Sequence, residues 1–154
     1  MTKKIQIFFL ILFLNGCGYE PILTSKKYDF KFNDIFLEGN ADINKIIQNN
    51  LIDKSTSNSK KNYDLNLFSE KFKEIVSSNE KGDVTVYRMK IFIKYVLKDN
   101  EKTILGNEIK KQITYNNIND KFELLEYEKN IIKTLSESIS SEIVVSITTL
   151  NSDL

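Results

Sequence analysis

The chain has no histidine and no tryptophan, one cysteine (Cys17), one proline (Pro21), five glycines and, among 22 basic residues, a single arginine, Arg88. Without histidine, the commonest general base and metal ligand are missing. A lone cysteine cannot close an internal disulfide or build a Cys-based zinc site. The glycines form neither a G-x-G-x-x-G fingerprint nor a Walker-type phosphate cradle. Basic residues (22) barely outnumber acidic ones (21), so the cation excess that general nucleic-acid binding requires is absent. The wealth of Ile, Asn and Lys and the scarcity of Ala and Arg mark an AT-rich genome rather than a mechanism. Carboxylate pairs such as Glu70 with Glu74 and Glu123 with Glu126 read as solvated faces. Ser136, Ser138, Ser140 and Ser141 stand on a helix with no base motif beside them. These absences point to a protein that is not an enzyme and holds no metal or dissociable cofactor.

What is present begins at the N-terminus. Lys3 and Lys4 precede an apolar run from Ile5 to Leu14 broken only by Gln6, followed by Leu14-Asn15-Gly16-Cys17. A basic start, a short apolar stretch and small residues at a cut site are the layout of an export signal. The run is about 10 residues, half the ~20 that a helix needs to cross a bilayer. The Leu-x-Gly-Cys ending resembles the lipobox of bacterial lipoproteins. It implies cleavage between Gly16 and Cys17 and a covalent lipid on Cys17, with residues 1–16 as the signal peptide. The alternative is an ordinary secretory signal that ends near a cysteine. A solitary thiol in an exported chain calls for an explanation, and acylation supplies one. One acyl chain holds a protein marginally, whereas several hold it firmly. Loss of Lys3 and Lys4 leaves 20 basic against 21 acidic residues, a net charge of −1. The remaining 138 residues suffice for one hydrophobic core.

Residues 17–27 carry Pro21 and little periodicity and read as a lipidated tether; 28–150 read as a single domain and 151–154 as a tail. Tyr28, Phe30 and Phe32 alternate with polar residues as in a half-buried strand, and the parity switch to Ile35 and Leu37 predicts a bulge near Asn33-Asp34. Ile43, Ile46, Ile47 and Leu51 recur at helical spacing over 42–53, with Asn40 or Asp42 as cap. Tyr63, Leu65 and Leu67 open a second strand. Phe68 and Phe72 fall on the opposite parity, which predicts another bulge before the strand ends near Val76. The clearest strand covers 85–98, and a short turn at Asp99–Lys102 returns it as a neighbour over 103–115. Residues 122–150 carry Ile131, Leu135, Ile139, Ile143 and Ile147 at steps of four, an amphipathic helix. The order β-α-β-β-β-α predicts an α+β two-layer sandwich: a four-stranded, mainly antiparallel sheet with two helices packed on one face.

In the strand over 85–98, Arg88, Lys90, Lys94 and Lys98 project opposite to Tyr87, Met89, Ile91, Ile93, Tyr95 and Leu97. Alternate positions stand about 6–7 Å apart, so these cations form a row suited to phosphorylated sugars or anionic headgroups. A solvated outer face is the plainer reading. Phe92 and Val96 within the row weigh toward a partner or an amphiphile.

The segment Gly16-Cys17-Gly18-Tyr19-Glu20-Pro21-Ile22-Leu23 resembles the opening of the LPS-assembly lipoprotein family, LptE, whose members often begin Cys-Gly-aromatic-x-Pro-Leu. The order of elements is similar along the whole mature chain, and Tyr87–Asp99 is similar to the family's long central strand. Ile22-Leu23 departs from the frequent Pro-Leu-Tyr, and the arginine content is low for the family. The resemblance implies an outer-membrane lipoprotein that plugs the LptD β-barrel, assists its folding and helps deliver lipopolysaccharide to the outer leaflet. Its partners would be that barrel, lipopolysaccharide and, through the lipid, the membrane. Gly18 in place of an aspartate implies outer-membrane sorting. Arg88, Lys90 and Lys94 are the candidate lipopolysaccharide contacts. The alternatives are an accessory lipoprotein of a secretion pore or of the barrel-assembly machine, and a lipid carrier with an enclosed cavity.

Overall fold

The computed structural model describes residues 27–152. The expected signal peptide, the expected Gly16–Cys17 cleavage and lipidation site, the expected tether up to Lys26 and the last two residues lie outside the described residues. Six elements follow one another: β1 (Lys31–Gly39), α1 (Ala41–Lys54), β2 (Asn62–Ser78), β3 (Val84–Asp99), β4 (Lys102–Asn116) and α2 (Lys121–Ser152). The sheet order is β1-β2-β3-β4. β2, β3 and β4 form an antiparallel meander, while β1 pairs parallel to β2. A helix joins β1 to β2, and such a crossover is what parallel pairing requires. The α+β sandwich of order β-α-β-β-β-α is therefore the observed fold.

Both helices lie on the same face. Ser69 of β2 bonds Asn44 of α1, and Lys73, of the same parity, bonds Glu128 of α2. That face and the helical stripes form the core: Leu65 and Leu67, Met89 to Leu97 at alternate positions, Ile43, Ile47 and Leu51, and the step-four series Ile131, Leu135, Ile139, Ile143 and Ile147. Each fully buried isoleucine or leucine contributes about 1.5–3 kcal/mol. The middling helix propensity of isoleucine is thereby outweighed.

The register shift between Phe32 and Ile35 places a bulge at Asn33-Asp34. Asp64 Oδ1 accepts from Asn33 Nδ2 and from the Asp34 N–H, fixing the kink to β2. Asn40 caps α1 by accepting the Ile43 N–H at 3.2 Å. The chain leaves the sheet at Gly39, whose φ is +91° and where a Cβ would stand 2.0 Å from the Ser69 carbonyl oxygen. A buried polar knot locks this corner: Ser69 Oγ donates to Asn44 Oδ1 at 2.7 Å, and Asn44 Nδ2 donates to the Glu38 carbonyl at 3.0 Å.

Two expectations are corrected. β2 has no bulge after Leu67; its pairing with β3 runs unbroken from Asp64↔Lys98 to Ile75↔Tyr87 and shifts only beyond Ile75. Phe68 and Phe72 change parity because they belong to the other face of the sheet. In addition, α2 runs through Ser152, so residues 151 and 152 are helical rather than tail. Asn151 holds that end, accepting from Tyr63 OH at 2.7 Å and from Lys61 Nζ at 3.0 Å.

Candidate ligand- and partner-binding face

The face of the sheet that carries no helix is built by register. Across β2, β3 and β4 the pairing sets Phe68–Lys94–Glu108, Glu70–Phe92–Lys110, Phe72–Lys90–Gln112 and Glu74–Arg88–Thr114 in successive rows. On this face β2 alternates phenylalanine with glutamate, and β3 sets Phe92 among Arg88, Lys90 and Lys94. From β1, Phe36 pairs with Asn66 at the end of this strip. Phe36 is 59% exposed and Phe72 47%, while Phe68, Phe92 and Val96 are half-buried. Two shallow open depressions lie here, one floored by Phe36, Phe68 and Val96 and edged by Lys94 and Lys98, the other floored by Phe72 and Phe92 and edged by Lys90 and Lys110.

The structure places Arg88, Lys90 and Lys94 together on this face, as their spacing predicts, but not as a bare cationic row. Lys90 Nζ lies 2.6 Å from Glu74 Oε1, and Lys94 Nζ lies 4.0 Å from Glu108 Oε1. Arg88 Nε donates to Thr114 Oγ1 at 3.3 Å, and Lys110 Nζ sits 5.2 Å from the Phe92 ring centroid. The flanking strands thus supply carboxylates and a hydroxyl to the central cations, and a cation, Lys110, to the central Phe92 ring. Exposed ion pairs of this kind contribute about 0–1 kcal/mol, so an incoming anion can exchange with them at little cost. Phe36, Phe68 and Phe72 were not singled out as site residues from the sequence. The parity switch in β2 was the available signal, and it denotes a second apolar face rather than a bulge.

The remaining candidates have local roles. Glu126 pairs with Lys129 at 2.6 Å on the exposed side of α2. Ser140 and Ser141 hydroxyls donate to the carbonyls of Ser136 and Glu137 one turn back. At the far end of the sheet, Tyr115 OH donates to Glu128 Oε1 at 2.8 Å. Its pKa is raised, by burial first and then by that carboxylate. Among the described residues no cluster of three or more metal-ligating side chains occurs, and no helix is long and apolar enough to cross a membrane.

The fold is a two-layer α+β sandwich with one helix-free sheet face that carries aromatic and charged side chains. Solved structures share this fold. The rare lipoprotein B of Shewanella oneidensis superposes with a TM-score of 0.60 at 12% identity, covering 79% of this chain and 98% of its own. Lipoprotein B of Nitrosomonas europaea gives 0.61 at 14% identity, covering 83% and 88%. A minor lipoprotein of Acinetobacter baumannii gives 0.54 at 14%, covering 78% and 94%. The resemblance drawn from the opening motif and the element order thus holds at the level of fold. No protein-family model matches the chain, and no curated protein does.

Proposed function

We propose that this protein is an outer-membrane lipoprotein of the LptE family, lipidated at Cys17, that plugs and helps assemble an LptD-like β-barrel and assists delivery of lipopolysaccharide to the outer leaflet. The observation that carries the reading is a coincidence. The fold of the rare lipoprotein B structures, which is the fold of that family, stands behind a Cys17-Gly18-Tyr19-Glu20-Pro21 opening of the family's kind. The helix-free face supports a role toward an amphiphile. Phosphates would replace Glu74 and Glu108 at Lys90 and Lys94 and Thr114 at Arg88, while Phe68, Phe72 and Phe92 would meet acyl chains.

The test is purification of the protein from detergent-solubilised outer membrane. An LptD-like barrel in one-to-one ratio supports the proposal; a secretion pore or barrel-assembly subunit in its place refutes it. The ligand contact has its own measurement. Replacing Arg88, Lys90 and Lys94 together by Gln should weaken lipopolysaccharide binding at least tenfold, about 1.4 kcal/mol. Unchanged affinity assigns the row to solvation.

A further inference from the structure

We propose that the outer edge of β2 from Glu70 to Ile75 is a docking site for one extended strand of a protein partner, which would add to the sheet in line with β1. The sheet is not four strands wide throughout. β1 pairs with β2 only as far as Gly39↔Ser69, where the positive φ of Gly39 lifts the chain away into α1. β2 continues for nine more residues, paired on one side alone with β3.

The direction of the vacant hydrogen-bonding groups follows from the last β1 contact. The Ser69 carbonyl accepts the Asn40 N–H at 3.1 Å, so it points to the β1 side. Backbone polarity alternates along a strand; Lys71, Lys73 and Ile75 therefore turn their N–H and C=O groups to the same, vacant side. α1 begins level with Ser69 and runs back over β1, so it does not cover this half of β2. α2 stands beside it, tied by the 2.6 Å Lys73–Glu128 pair.

Unpaired edges are normally guarded by charges, bulges or shortness. The outer edge of β1 has its bulge at Asn33-Asp34, and β4 has a run of charges at Glu108, Lys110 and Lys111. At the β2 edge two of the four charges are drawn away, Lys73 to Glu128 and Glu74 to Lys90, while Glu70 and Lys71 stay exposed. Beyond Glu70 and Lys71 the segment presents apolar side chains on both faces. Ile75 is 64% exposed on the helix side, with Leu125 of α2 half exposed one turn from Glu128. Phe72 and Val76 are exposed on the other side. A six-residue strand in this position, with a basic residue beside Glu70, an acidic one beside Lys71 and otherwise apolar, would satisfy the three outward residues and cover these side chains. The register shift with β3 beyond Ile75 marks the far end of this evenly paired segment.

The experiment is amide hydrogen exchange of the segment 70–76, comparing the mature lipoprotein in outer-membrane preparations with the purified protein. The expected result is exchange about tenfold slower in the membranes, the worth of a net hydrogen bond. Lys71→Pro removes an N–H that faces the vacant side, so it should fold normally and lose this protection. Glu70→Pro, whose N–H faces β3, should destabilise the sheet. Ile75→Asp leaves the backbone intact and should also abolish protection. Equal exchange in the two preparations overturns the proposal. Protection that grows with the concentration of purified protein overturns it in favour of a second copy of this chain. Protection by vesicles of phosphatidylethanolamine and phosphatidylglycerol alone overturns it in favour of lipid.

Discussion

Replacing Gly39 by Ala probes the corner on which the architecture turns. Gly39 and Gly82 have nearly the same backbone angle, φ +91° and +88°, but different surroundings. A Cβ on Gly82 meets nothing within 4 Å, whereas on Gly39 it would stand 2.0 Å from the Ser69 oxygen and 2.9 Å from its carbon. The left-handed conformation alone costs an L-residue about 1–2 kcal/mol, and this is the full expectation for Gly82→Ala. At Gly39 the neighbour is backbone in a paired strand and cannot rotate away. β1 must separate from β2, which breaks the bonds from the Asn40 N–H to Ser69 and strains the buried Asn44–Ser69–Glu38 knot. At about 1 kcal/mol for each net hydrogen bond, the loss for Gly39→Ala comes to about 3–5 kcal/mol. In a domain of this size that lowers the melting temperature by about 10–20 °C, against about 5 °C for Gly82→Ala. Thermal unfolding of the two variants, followed by circular dichroism, measures the difference. Equal losses would refute the close approach of β1 to Ser69 as the cause.

Further tests address the core, the alkaline limit and the anchor. The Tyr95 hydroxyl is fully buried without a hydrogen-bond partner among the described residues. Tyr95→Phe should therefore stabilise the domain by about 1 kcal/mol in denaturant unfolding, and a loss of stability would reveal a partner for that hydroxyl. Tyr63 and Tyr115 have pKa values raised from the ordinary 10.0. Burial comes first in both, followed by Asp99 and Asp29 for Tyr63 and by Glu128 for Tyr115. The folded state thus favours the neutral phenols. Their contribution is complete below about pH 10 and declines above it, as the unfolded tyrosines ionise first. Tyr115→Phe should flatten that decline, and an unchanged alkaline slope counts against the assignment. Cys17→Ser should leave the precursor uncut and free of palmitate label; normal labelling would remove the lipoprotein reading.

Period-two and period-3.6 patterns made the elements legible because each depends on which neighbours along the chain share a face. The bulge at Asn33-Asp34 and the step-four stripe of α2 belong to this class, as does the common orientation of Arg88, Lys90 and Lys94, while for the cap the sequence leaves Asn40 or Asp42 and the structure selects Asn40. Phe68 and Phe72 were legible only halfway: their change of parity is in the sequence, but a bulge and a second apolar face produce the same pattern. Pairing to β3 distinguishes the two, since every residue from Asp64 to Ile75 keeps a partner.

By itself, then, the sequence determined the six elements, their order, the buried stripes of α1, β3 and α2 and the Leu-x-Gly-Cys pattern ending at Cys17, all of them consequences of local spacing. Only the tertiary structure decided that β1 lies parallel at the edge and stops at Ser69, that Glu74 and Glu108 flank the cations of β3, and that four phenylalanines share the helix-free face. These facts depend on which distant residues stand opposite one another. Cross-strand register and the departure of the chain at Gly39 set that arrangement, through hydrogen bonds and close contacts between segments remote in sequence.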